Sequence, residues 1–113
     1  MKYIDRINNS AIQEFTLTNI DDGSDINCKL RYLPSQFCWM IDVSSGDFAV
    51  NGVIVTISPN ILSQWSNVIN FGIAFTSIDG FESFYIADFK SERTKMYLLS
   101  ADEVQQVEDA INA

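Results

Sequence analysis

The stretch from Cys28 to Val43, CKLRYLPSQFCWMIDV, decides the fold. Its first arm continues an alternation that begins at Ile26. Ile26, Cys28, Leu30 and Tyr32 share one side and Asn27, Lys29 and Arg31 the other, the pattern of a half-buried strand. Leu33, Pro34, Ser35 and Gln36 follow, and proline, which fixes φ and lacks an N–H donor, turns the chain before a return arm from Phe37 to Val43. Pairing Tyr32 with Phe37 sets Leu30 opposite Trp39 and Cys28 opposite Ile41. Cys28, Leu30, Tyr32, Phe37, Trp39, Ile41 and Val43 then form one apolar face, and a slip by a single residue would mix it with the other. That other face holds Lys29, Arg31, Cys38, Met40 and Asp42. The cysteines fall on opposite faces, a poor geometry for a disulfide.

On the N-terminal side, Gln13–Ile20 reads as a strand with Phe15 and Leu17 inward against Thr16 and Thr18, joined to the hairpin through a turn at Asp21, Asp22, Gly23 and Ser24. Met1 to Ser10 reads as an extended lead-in. On the C-terminal side, a turn at Ser44 to Asp47 leads to a third antiparallel strand, pairing Val43 with Phe48 and Ile41 with Val50. Asn51-Gly52 reads as a bulge or bend within that strand, which ends at Ile57. Ser58-Pro59 resembles an N-cap and first helical residue, and Ile61, Leu62, Trp65, Val68 and Ile69 have the spacing of a short helix or turn.

Phe71–Ile78 and Phe81–Phe89 flank Asp79-Gly80, a two-residue hairpin loop. Pairing Ile78 with Phe81 puts Phe71, Ile73, Phe75, Phe84 and Ile86 on one side and Ala74, Ile78, Phe81, Tyr85 and Phe89 on the other. Neither side is polar, so both are expected to be covered, either by the domain itself or by a neighbouring molecule. A charged linker, Lys90 to Lys95, precedes a last strand at Met96–Leu99. Ser100 and Glu103 form a capping box, and Val104, Val107 and Ile111 make the apolar stripe of a short C-terminal helix. Asp102, Glu103, Glu108 and Asp109, with no basic residue, give that helix half of the net charge of -8. The stripe is narrow enough to dock on its own sheet or on a partner. The expected architecture is one mainly β domain over residues 1–113, an antiparallel sandwich or small barrel of about seven strands, with an acidic amphipathic helix over 100–113.

At 113 residues the chain is long enough to bury a core without staples. Two cysteines outside any metal-ligand spacing, and no apolar signal segment at the start, point to synthesis in the cytoplasm. No apolar run reaches the roughly 18 residues of a membrane span. Seven Lys and Arg, scattered along an acidic chain, argue against direct nucleic-acid binding. The absence of histidine removes serine-histidine and cysteine-histidine catalysis together with the commonest zinc ligand. Asp21, Asp22 and Asp25 lie in a turn that favours Asp for backbone reasons, and DDGSD lacks the later bidentate Glu of a calcium loop. No glycine-rich phosphate cradle is present. The aromatics fall on predicted core faces without interleaved basic residues. The sequence therefore predicts no catalytic, metal-binding or cofactor-binding residue. The candidate partner contacts are Lys29, Arg31 and Met40 on the outer face of the central hairpin, Phe81, Tyr85 and Phe89 on the second face of the later one, and Val104, Val107 and Ile111 on the helix.

Five segments in order, FTLT at Phe15 to Thr18, LRY at Leu30 to Tyr32, FCWMIDV from Phe37, GVIVTISPNIL from Gly52 to Leu62, and MYLL from Met96 to Leu99, resemble the baseplate plug proteins of contractile-tailed bacteriophages, typified by one from a cyanophage. The likeness spans most of the chain from Phe15 to Leu99. It departs from the family at Ser58-Pro59-Asn60, where a glycine-rich turn is common, and in the acidic helix after Ser100. The resemblance implies a non-enzymatic virion component without a cofactor, located in the tail baseplate after synthesis in the host cytoplasm. Its implied partners are hub, tube, wedge or sheath-initiator proteins, with several copies in a larger assembly. Two other functions fit the residues: a small barrel that binds an apolar ligand between Phe71, Phe75, Phe84 and Tyr85, and an acidic inhibitor or mimic that acts through the Ser100 to Ala113 tail.

Overall fold

In the computed structural model the described residues are 2–5, 7–8, 10–66, 68–78, 88–89, 91 and 93–112. Among the described residues the alternating segments form seven strands, β1 (Lys2–Ile4), β2 (Ile12–Thr18), β3 (Asp25–Leu33), β4 (Cys38–Ser45), β5 (Phe48–Ile54), β6 (Gly72–Ser77) and β7 (Thr94–Leu99), followed by one helix, α1 (Ala101–Asn112). They make two antiparallel sheets, one of four strands in the order β2-β3-β4-β5 and one of three in the order β1-β7-β6. This is a sandwich of two sheets, with α1 as a third layer.

The four-stranded sheet turns Leu17, Ile26, Cys28, Leu30, Trp39, Ile41 and Val43 inward against Ile4, Ile73, Phe75, Met96 and Leu98 of the other sheet, all in one buried cluster. Trp39 is wholly buried, with its ring 5.3 Å from Tyr32 and 5.4 Å from Phe89. The outer face of β6 and β7 is closed by α1. Ala74, Leu99 and Val104 form a second buried cluster with Tyr97 and Val107 packed against it.

The central hairpin keeps its predicted faces but not its predicted register. Tyr32 pairs with Trp39, Leu30 with Ile41 and Cys28 with Val43, two residues away from the expected pairing. Leu33 extends β3, and the turn is Pro34 to Phe37, closed by the Gln36 N–H on the Leu33 carbonyl at 3.1 Å. Phe37 therefore leaves the core face: it sits in the turn with φ of 50° and is 57% exposed. The next hairpin shifts by the same amount, with Val43 opposite Val50 and Ser45 opposite Phe48 around Gly46-Asp47. The bulge falls where the sequence puts it. Asn51 and Gly52 stand against Asp42 alone, Gly52 has φ of 71°, and its N–H donates to Asp42 Oδ1 at 2.7 Å. The strand then ends at Ile54 rather than Ile57.

Three other expectations are corrected. The lead-in contains β1, which pairs with β7 through Tyr3 and Tyr97. Ser58 does not start a helix; it bridges Phe75 at the edge of β6, and only Ser63–Trp65 forms a single 3-10 turn. β6 pairs with β7 from Gly72–Leu99 to Ser77–Thr94, and its other edge bonds to Ser58 and Ile61; the loop and most of the return arm of the expected later hairpin fall outside the described residues. Residues 79–87, including Phe81, Phe84, Tyr85 and Ile86, lie outside the described residues. Phe89, predicted to point away from Phe75, packs edge-on against it at 5.9 Å inside the core.

Candidate functional site

The central hairpin's outer face is where the structure gathers three of the sequence-predicted contact residues, Lys29, Arg31 and Met40. Registers of three strand pairs place Ile12 opposite Arg31, Arg31 opposite Met40, and Met40 opposite Ile54, one row across all four strands. Ile12 is 65% exposed and Ile54 52% exposed, while Arg31 and Met40 are half-buried between them. The next row toward the hairpin tip is Leu33 opposite Cys38, with exposed Phe37 in the adjoining turn. This end of the sheet therefore shows an apolar surface with one cation in it.

The rest of the same face is polar. Lys29 stands 3.8 Å from Glu14, and the Thr16 hydroxyl donates to Asn27 Oδ1 at 2.9 Å. Arg31 Nη2 donates to Asp42 Oδ1 at 3.0 Å, which is the oxygen that also caps the bulge amide of Gly52. The bulge thus holds Asp42, and Asp42 holds Arg31, whose strand partner is Met40. An added Cβ at Gly52 would come to 3.3 Å from Met40 Cε, so the bulge glycine also makes room for the Met40 side chain.

Arg31 and Met40 are brought together as neighbours, and Lys29 lies one pair further along the sheet. Ile12 and Ile54 complete the row and were missed. A signal for Ile54 exists: the extra residue at Asn51-Gly52 reverses the alternation, turning Val53 inward and Ile54 outward. The other predicted contacts are elsewhere. Phe89 is 5% exposed and belongs to the core; Val104 is buried and Val107 half-buried beneath α1 against β6 and β7, so these three are internal packing. Phe81, Tyr85 and the Ile111 side chain lie outside the described residues.

The acidic helix is fastened to its own protein. Ser100 N–H donates to Glu103 Oε1 at 3.1 Å and Glu103 N–H to Ser100 Oγ at 3.4 Å, the reciprocal pair of a capping box. The Ala101 N–H donates to Asp21 Oδ2 at 2.7 Å, so the β2–β3 turn caps the same helix end. The Ser66 hydroxyl donates to the Glu108 carboxylate from the opposite side. Of the ring residues assigned to a ligand-binding barrel, Phe75 is fully buried between the sheets and Phe71 nearly so.

Cys28 and Cys38 are both free thiols. Burial pushes the Cys28 thiol up to about 12. Among the described residues no three His, Cys, Asp or Glu side chains converge as metal ligands, and no helix is long and apolar enough to cross a membrane. No protein-family model matches the chain, and no curated protein matches it significantly.

Proposed function

We propose that this protein is a non-catalytic structural component of a contractile bacteriophage tail baseplate, a plug or hub-associated part held by protein–protein contacts. The observation that carries the contact surface is the row Ile12, Arg31, Met40, Ile54 on an otherwise polar sheet face. Apolar and methionine side chains around an arginine are the composition of an interface core, and the polar remainder of the face suits an interface rim. The baseplate assignment rests on the resemblance, whose segments fall in order in β2, β3, β4, β5 with the chain that follows it, and β7. Its partners are other tail proteins of hub, tube, wedge or sheath-initiator type, and it acts in several copies in the virion after synthesis in the host cytoplasm.

Crosslinking mass spectrometry on purified particles of the source phage, or of its induced prophage, tests this reading. Links from Lys29 to hub, tube or wedge proteins are expected, because Lys29 borders the row on the same face. A Met40→Asp variant should fold and yet be lost from particles, since it places a second carboxylate beside Asp42 in the contact. Particles that lack the chain altogether, or that incorporate Met40→Asp normally, overturn the proposal.

A further inference from the structure

The end of the sandwich opposite the Pro34 to Phe37 turn carries an open groove of about 860 Å³ between the β2–β3 turn, the β4–β5 turn and the segment from Trp65 to Phe71. Its aromatic wall is Phe48 and Trp65, both half-buried, whose rings meet edge to face at 6.2 Å, with Phe71 buried behind Phe48 at 6.4 Å. Its rim carries two carboxylates, Asp22 and Asp47, and among the described lining residues there is no lysine or arginine.

Asp22 is set in place rather than left loose. The Ser24 hydroxyl and amide both donate to its Oδ1, at 2.6 and 2.9 Å, and Asn70 Nδ2 reaches its Oδ2 at 3.4 Å. Asn70 is positioned in turn by buried Asn19, whose Nδ2 donates to Asn70 Oδ1 at 2.9 Å. Those donors, the Ser24 hydroxyl first, hold the Asp22 carboxyl below its usual value, so it is a fixed negative charge at neutral pH. Asp47 is exposed in a tight turn whose first central residue, Gly46, has φ of 59°.

We infer that this groove receives an arginine side chain from a protein partner, with the guanidinium against the Phe48 and Trp65 rings and its N–H donors toward Asp22 and Asp47. A guanidinium is planar, weakly hydrated and rich in donors, which matches an aromatic wall under a rim of acceptors better than a lysine ammonium does. Charge complementarity selects the occupant, because the groove belongs to a chain of net charge -8 and contributes acids to it without bases. The groove lies at the other end of the sheet from the Ile12 to Ile54 row. It is a second contact, and it stands whether or not the partner is a tail protein.

The test is an NMR titration of the full chain with acetyl-Gly-Arg-Gly-amide, using the same peptide with citrulline in place of arginine as the neutral isostere. The Trp65 indole N–H and the backbone amides of Gly46 to Val50 and Val68 to Phe71 should shift with the arginine peptide. The Trp39 indole, buried in the core, serves as the internal control and should not move. Asp47→Asn, in an exposed turn where folding is not at stake, should weaken the binding by about two- to fivefold, the range for an exposed ion pair. Three results each overturn the inference: equal shifts with the citrulline peptide, shifts on the acidic face of α1 at Asp102 and Asp109 as large as those in the groove, or unchanged affinity in Asp47→Asn.

Discussion

Gly72→Ala is the substitution whose sign tests the packing most sharply. Gly72 is the first residue of β6, outside the left-handed region of φ, and in a strand alanine is ordinarily the better residue by about 0.5–1 kcal/mol. Here a Cβ would come to 2.7 Å from Asn60 Oδ1 and 2.8 Å from both Cγ and Nδ2. Asn60 has little room to yield, because it is buried and its Oδ1 accepts the N–H of Leu62 at 3.0 Å and of Ile73 at 3.2 Å. Pushing the amide aside leaves two buried backbone donors without a partner, each costing about 1–3 kcal/mol before relaxation. The net expectation is a loss of about 2–4 kcal/mol, a large fraction of the roughly 5–15 kcal/mol that holds a domain folded. With a urea slope of about 2 kcal/mol per molar, the unfolding midpoint should fall by about 1–2 M. Asn60→Ala removes the obstruction but also the acceptor, so it should cost a similar amount alone, and adding Gly72→Ala to it should cost less than about 1 kcal/mol more. The two losses should therefore be strongly non-additive in a double-mutant cycle. Additive losses, or a Gly72→Ala variant as stable as the parent, would show that Asn60 does not occupy the notch over Gly72.

Trp39→Ala empties the centre of the core and should lose about 3–5 kcal/mol by urea unfolding; a loss near zero would refute the assigned face of β4. Ser100→Ala removes one half of the capping box and should cost about 1 kcal/mol. For Glu103, burial raises the carboxyl pKa, but the hydrogen bonds it accepts, the Ser100 amide's among them, outweigh burial and bring it below 4.5. A value depressed by folding makes its contribution present above the unfolded value and lost as the pH falls through the folded one. Glu103→Gln should therefore destabilise at pH 7, with the gap to the parent closing as the pH is taken below 4.5; a gap that is constant with pH would mean that the charge plays no part. Iodoacetamide at pH 8 should modify Cys38 in the folded protein and Cys28 only after unfolding, and non-reducing peptide maps should show no link between them. Equal labelling of the two thiols would refute the burial of Cys28.

Alternation shows which side of a strand is inside, and it did so for β2, β3 and β4 residue by residue. It carries no information about shifts by two, because a two-residue slip preserves both faces. That is why Tyr32 was matched to Phe37 instead of Trp39, and why Phe37 was placed in a core from which the turn excludes it. Partner choice is a second blind spot. The edges of β6 are taken by β7 and by Ser58 and Ile61, pairings that local sequence does not encode. The spacing of Ile61, Leu62, Trp65, Val68 and Ile69 pointed to a short helix or turn, and the chain there makes a single 3-10 turn at Ser63–Trp65. Leu62 is fully buried and Val68 is 68% exposed, so these residues do not share a helix face but fill or leave the core one at a time along an irregular crossing. The capping box and the Asn51-Gly52 bulge were legible because each is a short-range device whose partners lie within a few residues. Of the candidate surface, the inner pair Arg31 and Met40 was readable from the hairpin, whereas Ile12 and Ile54 needed the strand ends and the bulge.

The layers explain why the candidate contacts divide as they do. Strands covered on both faces carry apolar residues in both directions, and β6 with β7 is such a pair. Its second apolar face, at Ala74 and Leu99, is taken up by Val104 and Val107 of α1, and the helix is fixed there by Asp21 at its start and Ser66 near its end. Apolar character on that sheet is therefore no reason to look for a partner. Among the described residues nothing covers the second face of the four-stranded sheet, so an apolar residue there has no internal use among them. Glu14, Lys29, Thr16 and Asn27 obey that rule by pairing with one another across the strands. Ile12, Met40 and Ile54 break it together and in a single row, with Arg31 fixed among them by Asp42. Scattered apolar residues on a surface are ordinary, but a row aligned by the registers of three strand pairs is a contiguous feature, and contiguity is what marks a contact surface.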